Sequence, residues 1–213
     1  MVSFETRNSF SDTTSDVIGI GAARRWIKSE MERCNAECGG RMKIEFDEHL
    51  ARVAQPTPII NNVTTLAGEQ TESRDRIYLV SGHYDSMRST LILPGGLAPG
   101  ANDDASGTTA VIELACMMSK YKYNATLIFM PVAGKEQGLL GSTFFAKAAK
   151  AKGLNIDGMI TNDIIGNTRG SDGKVVRDRY LPKMKVDLVY RRDRCLRGGD
   201  HFPFLDQASR PCA

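Results

Sequence analysis

Histidine is scarce in this sequence: three residues in 213, at positions 49, 83 and 201. Any site built on imidazole must draw on these. Cysteine is odd in number, and no spacing among Cys34, Cys38, Cys116, Cys195 and Cys212 matches a cysteine-rich zinc module. Cys34 and Cys38 lie one helical turn apart and Cys116 falls in an apolar helical pattern, which leaves the redox compartment open. No apolar run approaches the ~20 residues that span a bilayer, so no membrane partner is expected. No charged-then-apolar leader precedes Ser3, and the chain as it stands is read as lacking a signal peptide. Neither sign of charge dominates. A net charge of +3 gives no argument for a nucleic-acid partner, and the densest basic stretch, Arg191 to Arg197, is broken by Asp193 and reads as a solvated face. Nothing in the composition points to disorder or to a repeat array.

What is present is enough chain for one sizeable α/β core and too little for two full-sized domains. Residues 17 to 37 carry Ile20, Ala23, Trp26, Ile27 and Met31 at helical spacing, with Gly39-Gly40 as the stop. Extended stretches follow at Met42 to Val53 and Pro58 to Leu66. Arg76 to Ser81, Ala125 to Val132 and Met159 to Ile165 read as buried strands. Helices are expected from Asp103 or Asp104 to Met118 and over about Leu139 to Lys150, with either aspartate able to cap the first. Strands alternating with helices predict a parallel sheet with helices on both faces. Two sequons, Asn62-Val63-Thr64 and Asn124-Ala125-Thr126, would matter only in a eukaryotic secretory pathway.

The polar residues follow from this layout. His83 and Asp85 come just after one strand, Glu136 just after the next, and Asp163 near the end of the third. In open α/β sheets the ligand crevice lies beyond the carboxyl ends of the strands. Three strands therefore deliver ligand-type side chains to one rim. Zinc accepts imidazole nitrogen and carboxylate oxygen, and two zincs ~3.5–4 Å apart can share a bridging carboxylate. His83 and His201 stand in glycine-flanked, aspartate-bearing loops; His49 does not.

Five strings carry a resemblance: Ser81-Gly82-His83-Tyr84-Asp85-Ser86, Pro99 to Gly107 (PGANDDASG), Gly134 to Ser142 (GKEQGLLGS), Asn162-Asp163 and Gly198-Gly199-Asp200-His201. In this order they resemble metallopeptidase family twenty-eight, whose relatives include glutaminyl cyclases and non-catalytic receptor ectodomains. Phe4 to Arg7 and Gly19 to Ile27 look like the same family's lead-in. The resemblance implies a three-layer α/β sandwich of the zinc-exopeptidase type (phosphorylase/hydrolase-like), with a mixed, mostly parallel central sheet, as a single catalytic domain over residues 1–213. It implies two zinc ions bridged by Asp103, one completed by His83 and Asp163, the other by Glu136 and His201. Asp85 would fix the His83 tautomer, and for Asp104 a helix-capping role is preferred. The implied substrate is a peptide, hydrolysed at its N-terminal bond by a zinc-activated water and a general base. The relatives are mostly exported, so a secreted or periplasmic setting is implied by resemblance alone.

The sequence departs from the family pattern in two places. The family has two adjacent carboxylates after the second strand, the first a general base and the second a zinc ligand; here the pair is Lys135-Glu136. Either the zinc field makes Lys135 a neutral base, or the side chain swings to solvent and the site is crippled. The 38 positions from Asp163 to His201 are also short for the family. A strand and most of a helix are read as absent near Val176 to Arg179, and the usual closing strand and helix as absent after Leu205. Exposed apolar surface, an unpaired sheet edge and a loosely held His201 would follow. The shortening is read as a truncated isoform, a decayed copy or an imperfect gene model. The leading functional reading is a zinc exopeptidase, first an aminopeptidase, active or weakened. The alternatives are a non-catalytic pseudo-peptidase that binds a partner and, disfavoured by five intact ligands, a glutaminyl cyclase-like transferase.

Overall fold

The structure is a computed structural model that describes residues 1–53, 55–88, 96–166 and 199–207. After a short 3-10 turn at Val2–Phe4 come α1 (Gly19–Glu37), β1 (Met42–Arg52), β2 (Pro56–Leu66) and β3 (Arg76–His83). A kinked turn at Ala101–Ala105 leads into α2 (Ser106–Met118), followed by β4 (Thr126–Val132), α3 (Leu140–Ala151), β5 (Asn155–Thr161) and the short α4 (Phe202–Gln207). The strands form one mixed sheet in the order β1-β2-β4-β3-β5. The β1–β2 and β2–β4 pairings are antiparallel. The β3–β4 and β3–β5 pairings are parallel.

Side chains of β4 alternate between two cores, as strand geometry requires. Phe129 packs with Ile20, Ile27, Met31, Val111 and Ala115 of α1 and α2. Its neighbours Ile128 and Met130 pack with Val63 and Leu79, against Phe145 of α3 and Phe204 of α4. Helices thus cover both faces of an α/β sandwich, as expected. Cys34 of α1 and Cys116 of α2 form a disulfide that ties two helices 82 residues apart in sequence. Cys38 keeps its thiol. Of the two sequons, Asn62 is fully buried within β2, whereas Asn124 is exposed. No helix among the described residues is long and apolar enough to cross a membrane.

The expected strand over Met159 to Ile165 needs correction. β5 begins four residues earlier and ends at Thr161, and none of its residues is fully buried, Ile160 being 67% exposed. It is the outer strand of the described sheet, so only one edge is paired. Past Thr161 the backbone leaves the ladder: Ile164 takes a positive φ of 56°. The Ile164, Ile165 and Gly166 N–H groups donate to Asp104, Ser106 and Asn102 side chains instead. The apolar Ile164 and Ile165 therefore lie in a half-exposed loop rather than a strand. The Val176 to Arg179 region, the basic run Arg191 to Arg197, Cys195 and the closing residues from 208 fall outside the described residues.

Candidate metal centre

Sheet register creates the site. In the parallel part, Ser81 pairs with Thr161 and His83 with Val132. Asp163 lies two residues past Thr161, in the loop that leaves β5, while Lys135 and Glu136 follow three and four residues after Val132. His83 is the last residue of β3 rather than the first of the loop. Ordered backbone on both sides therefore holds its imidazole. Thr108 Oγ1 donates to the His83 carbonyl (2.9 Å), and Asp104 Oδ2 accepts the His83 N–H (3.1 Å). Close contact between β3 and α2 depends on Gly82, where an added Cβ would stand 2.5 Å from the Gly107 carbonyl carbon.

The imidazole is fully buried and points Nε2 at two carboxylates, 3.0 Å from Asp103 Oδ1 and 3.7 Å from Asp163 Oδ1. His83 Nε2, Asp103 Oδ1 and Asp163 Oδ1 are each buried, yet none makes a hydrogen bond. Asp103 comes close without the alignment that a hydrogen bond needs, and Asp163 stays beyond its distance. Among the described residues, two groups bring three ligand-type atoms within 4.8 Å of one another: His83 with Asp103 and Glu136, and His83 with Asp104 and Asp163. In the second group Asp104 is already engaged. Its oxygens accept the N–H groups of His83, Gly107 (2.9 Å) and Ile164 (3.2 Å), so it caps the start of α2 and ties three segments together. His201 belongs to neither group.

The donor set fits zinc. It offers one imidazole nitrogen and several carboxylate oxygens from separate loops, with buried polar atoms that lack hydrogen bonds. The neighbouring carboxylates also draw positive charge onto the imidazole. Burial alone would lower the His83 pKa, but Asp103, Asp163 and Asp85 outweigh it and push the imidazole up to about 12. The same imidazole holds Asp163 down at about 2 and lowers Asp103. Glu136 is raised by burial, and Asp104 is raised by burial to about 6.

Asp85 has a second task that the sequence did not reveal. His83 Nδ1 lies 3.1 Å from the Asp85 main-chain oxygen and 3.5 Å from its carboxylate. The carboxylate accepts the backbone N–H groups of Lys135 (3.3 Å) and Glu136 (3.0 Å), pinning the turn after β4 to the loop after β3. Arg7 braces that loop from the amino-terminal side through the carbonyls of Tyr84 (2.7 Å), Pro99 (2.6 Å) and Gly100 (3.0 Å).

The expectation that Lys135 swings to solvent is not met. Its side chain is only 18% exposed, and Nζ lies 3.1 Å from Asp163 Oδ2 and 3.7 Å from Asp103 Oδ1. The carboxylates draw it inward. Burial works to lower its pKa, but Asp163, Glu136 and Asp103 outweigh that and raise it. Sequence reasoning also passed over Asp200, which is buried, accepts the Ser142 hydroxyl (2.9 Å) and is pushed up to about 7 by burial. Its place beside His201 in Gly-Gly-Asp-His was the available signal.

Residues 61–208 match the sequence profile of peptidase family M28. A probable zinc metalloprotease of Pyricularia oryzae is 38% identical over 255 positions, covering 97% of this chain and 50% of its own length. The chain spans about half the length of the curated relatives it matches. Among solved structures, LapB from Legionella pneumophila superposes with a TM-score of 0.64 at 21% identity, over 80% of this chain and 42% of its own. A glutaminyl cyclase from an Acidobacteriales bacterium gives 0.59 at 18% identity, over 80% and 58%. At such identities the two structures speak for the fold alone. The profile covers well over half of the sequence and the fungal relative nearly all of it, and the chain belongs to peptidase family M28.

Proposed function

We propose that this chain is the metal-binding domain of a zinc-dependent exopeptidase, an aminopeptidase in reaction type, weakened at its general-base position. One observation carries the reading: the buried atoms His83 Nε2, Asp103 Oδ1 and Asp163 Oδ1 converge without hydrogen bonds of their own. Such atoms are costly to bury unless a cation completes them. His83, Asp103, Glu136 and Asp163 would hold the metal, with Asp103 shared between two ions and His201 supplying a further ligand. Bound zinc would supply Lewis-acid polarisation of the scissile carbonyl and an acidified water.

The chain's own residues then set the limit. The position that would accept a proton holds Lys135, and a protonated ammonium has no lone pair to offer. Loss of a positioned base costs roughly 10²–10⁴ in rate. Asp85 would keep the His83 imidazole and the Glu136 turn in register. A reading as a non-catalytic binding domain is favoured by the inward turn of Lys135 onto Asp163. An internal shortening is supported by the fungal alignment: it runs over 255 positions while taking in 97% of a 213-residue chain. Roughly forty to fifty positions of the alignment therefore lack a residue from this chain.

Zinc content by metal analysis, with aminoacyl-anilide hydrolysis by the chain as it stands and by Lys135→Glu, tests the proposal. The expected result is bound zinc in both and a rate gain of ~10²-fold or more in the variant. Absence of zinc from both would overturn the site assignment. Equal rates would overturn the role given to position 135.

A further inference from the structure

Lys135 does more in this structure than fail to be a base. Its ammonium lies against the outer oxygen of Asp163 while the inner oxygen, Oδ1, faces His83. The same ammonium reaches Asp103 Oδ1, the oxygen nearest His83 Nε2. It thus enters the ligand set between Asp163 and Asp103 and lies nearer Asp163, while ligand atoms of His83, Asp103 and Glu136 lie within 4.8 Å of one another. The position is not a chance rotamer of a loose loop. The Lys135 and Glu136 backbone N–H groups are held by the Asp85 carboxylate, and the side chain is largely buried.

We propose that Lys135 is a tethered counter-ion of the Asp103–Asp163 carboxylate pair and competes with the second of two divalent metal ions. The inference rests on the metal-site reading above. One ion is taken up by His83, Asp103 and Glu136. A second, using Asp163, must displace the ammonium or tolerate a positive charge a few ångströms away. Repulsion between a dication and an ammonium at such range in a partly buried site is large compared with thermal energy. The tether also has an advantage in the metal-free chain. Asp163 and Asp103 are partly neutralised from within, so the ligand loops stay assembled before any ion arrives.

Zinc titration by isothermal calorimetry, with metal counted after gel filtration, tests this on the full chain, Lys135→Met and Lys135→Arg. The expected result for the unaltered chain and Lys135→Arg is one tight zinc and a second bound at least roughly tenfold more weakly, since both retain the charge. Lys135→Met should bind two with the gap narrowed by about tenfold or more. It should also melt lower than the unaltered chain without metal and gain more on zinc addition. Two equally tight ions in the unaltered chain would overturn the inference and leave the metal site standing. A second ion that stays weak in Lys135→Met would likewise overturn it, since the weakness would then lie elsewhere. No zinc in any of the three would remove the metal-site reading itself. Lys135→Arg guards against mistaking altered packing for altered charge.

Discussion

His83 and Asp163 face each other just beyond the last paired residues of β3 and β5. Ser81 pairs with Thr161, and two residues further along each chain the imidazole and carboxylate stand 3.7 Å apart. Strand alignment thus brings the two segments to one rim, and the loop after β5 sets the final approach. Glu136 enters the same space from β4, whose Val132 is the register partner of His83.

If that alignment depends on the close seating of α2 against β3, Gly82→Ala should disturb it. The new methyl would press on Gly107 backbone, which cannot rotate away. A loss of about 2–4 kcal/mol is expected from overpacking of this kind, measured by urea denaturation. An unchanged midpoint would mean that the strand and helix separate more easily than the contact implies.

Asp85 ties two ligand-bearing loops through buried hydrogen bonds from Lys135 and Glu136. Asp85→Ala should cost about 2–4 kcal/mol, since both N–H groups lose a charged acceptor. Asp85→Asn retains one acceptor oxygen and should cost less. Equal losses in the two variants would show that packing, not hydrogen bonding, matters at this position.

The Cys34–Cys116 disulfide closes a long loop between α1 and α2. A Cys34→Ser, Cys116→Ser double variant should lose about 2–4 kcal/mol relative to the oxidised protein. The same unfolding curve should result from reducing the unaltered chain. Denatured thiol titration that finds both cysteines free would remove the basis for this expectation.

Acid stability has a handle at Asp12, exposed at the entry to α1. The N–H groups of Ser15 and Thr14 and the Thr14 hydroxyl hold its pKa below the ordinary carboxylate value. The folded pKa is depressed, so the contribution is present above the unfolded value near 3.8 and is lost as pH falls through the folded one. Asp12→Asn should therefore be less stable than the unaltered chain at neutral pH, with the difference closing below about pH 4. A gap independent of pH would exclude the charge as its source.

Metal retention should separate the two histidines. His83 enters both groups of clustered ligand atoms, and His201 enters neither. His83→Ala should lose nearly all bound zinc, while His201→Ala keeps the first ion. Metal content after gel filtration measures this; equal losses would place His201 on the first ion as well.

Most of the elements were legible from residue pattern alone. The α1 helix, the extended stretches of β1 and β2, the buried β4 and the loops that carry the candidate ligands all follow from local spacing of apolar residues and from glycine and aspartate punctuation. β5 was misjudged because Ile160, Ile164 and Ile165 are apolar without being buried. Hydropathy records what a side chain prefers, and only the neighbouring strands and helices decide what it receives.

The chemical identity of the ligand set was likewise in the sequence. His83, Asp103, Glu136, Asp163 and Lys135 are short-range features of four strings, and their residue types state the available chemistry. What the tertiary structure decided is which of them meet. The ends of β3 and β5 put His83 beside Asp163, the Asp104 carboxylate was taken up by backbone N–H groups, and Lys135 turned inward onto Asp163. Those outcomes depend on contacts between residues 21 to 80 positions apart, which no local pattern encodes.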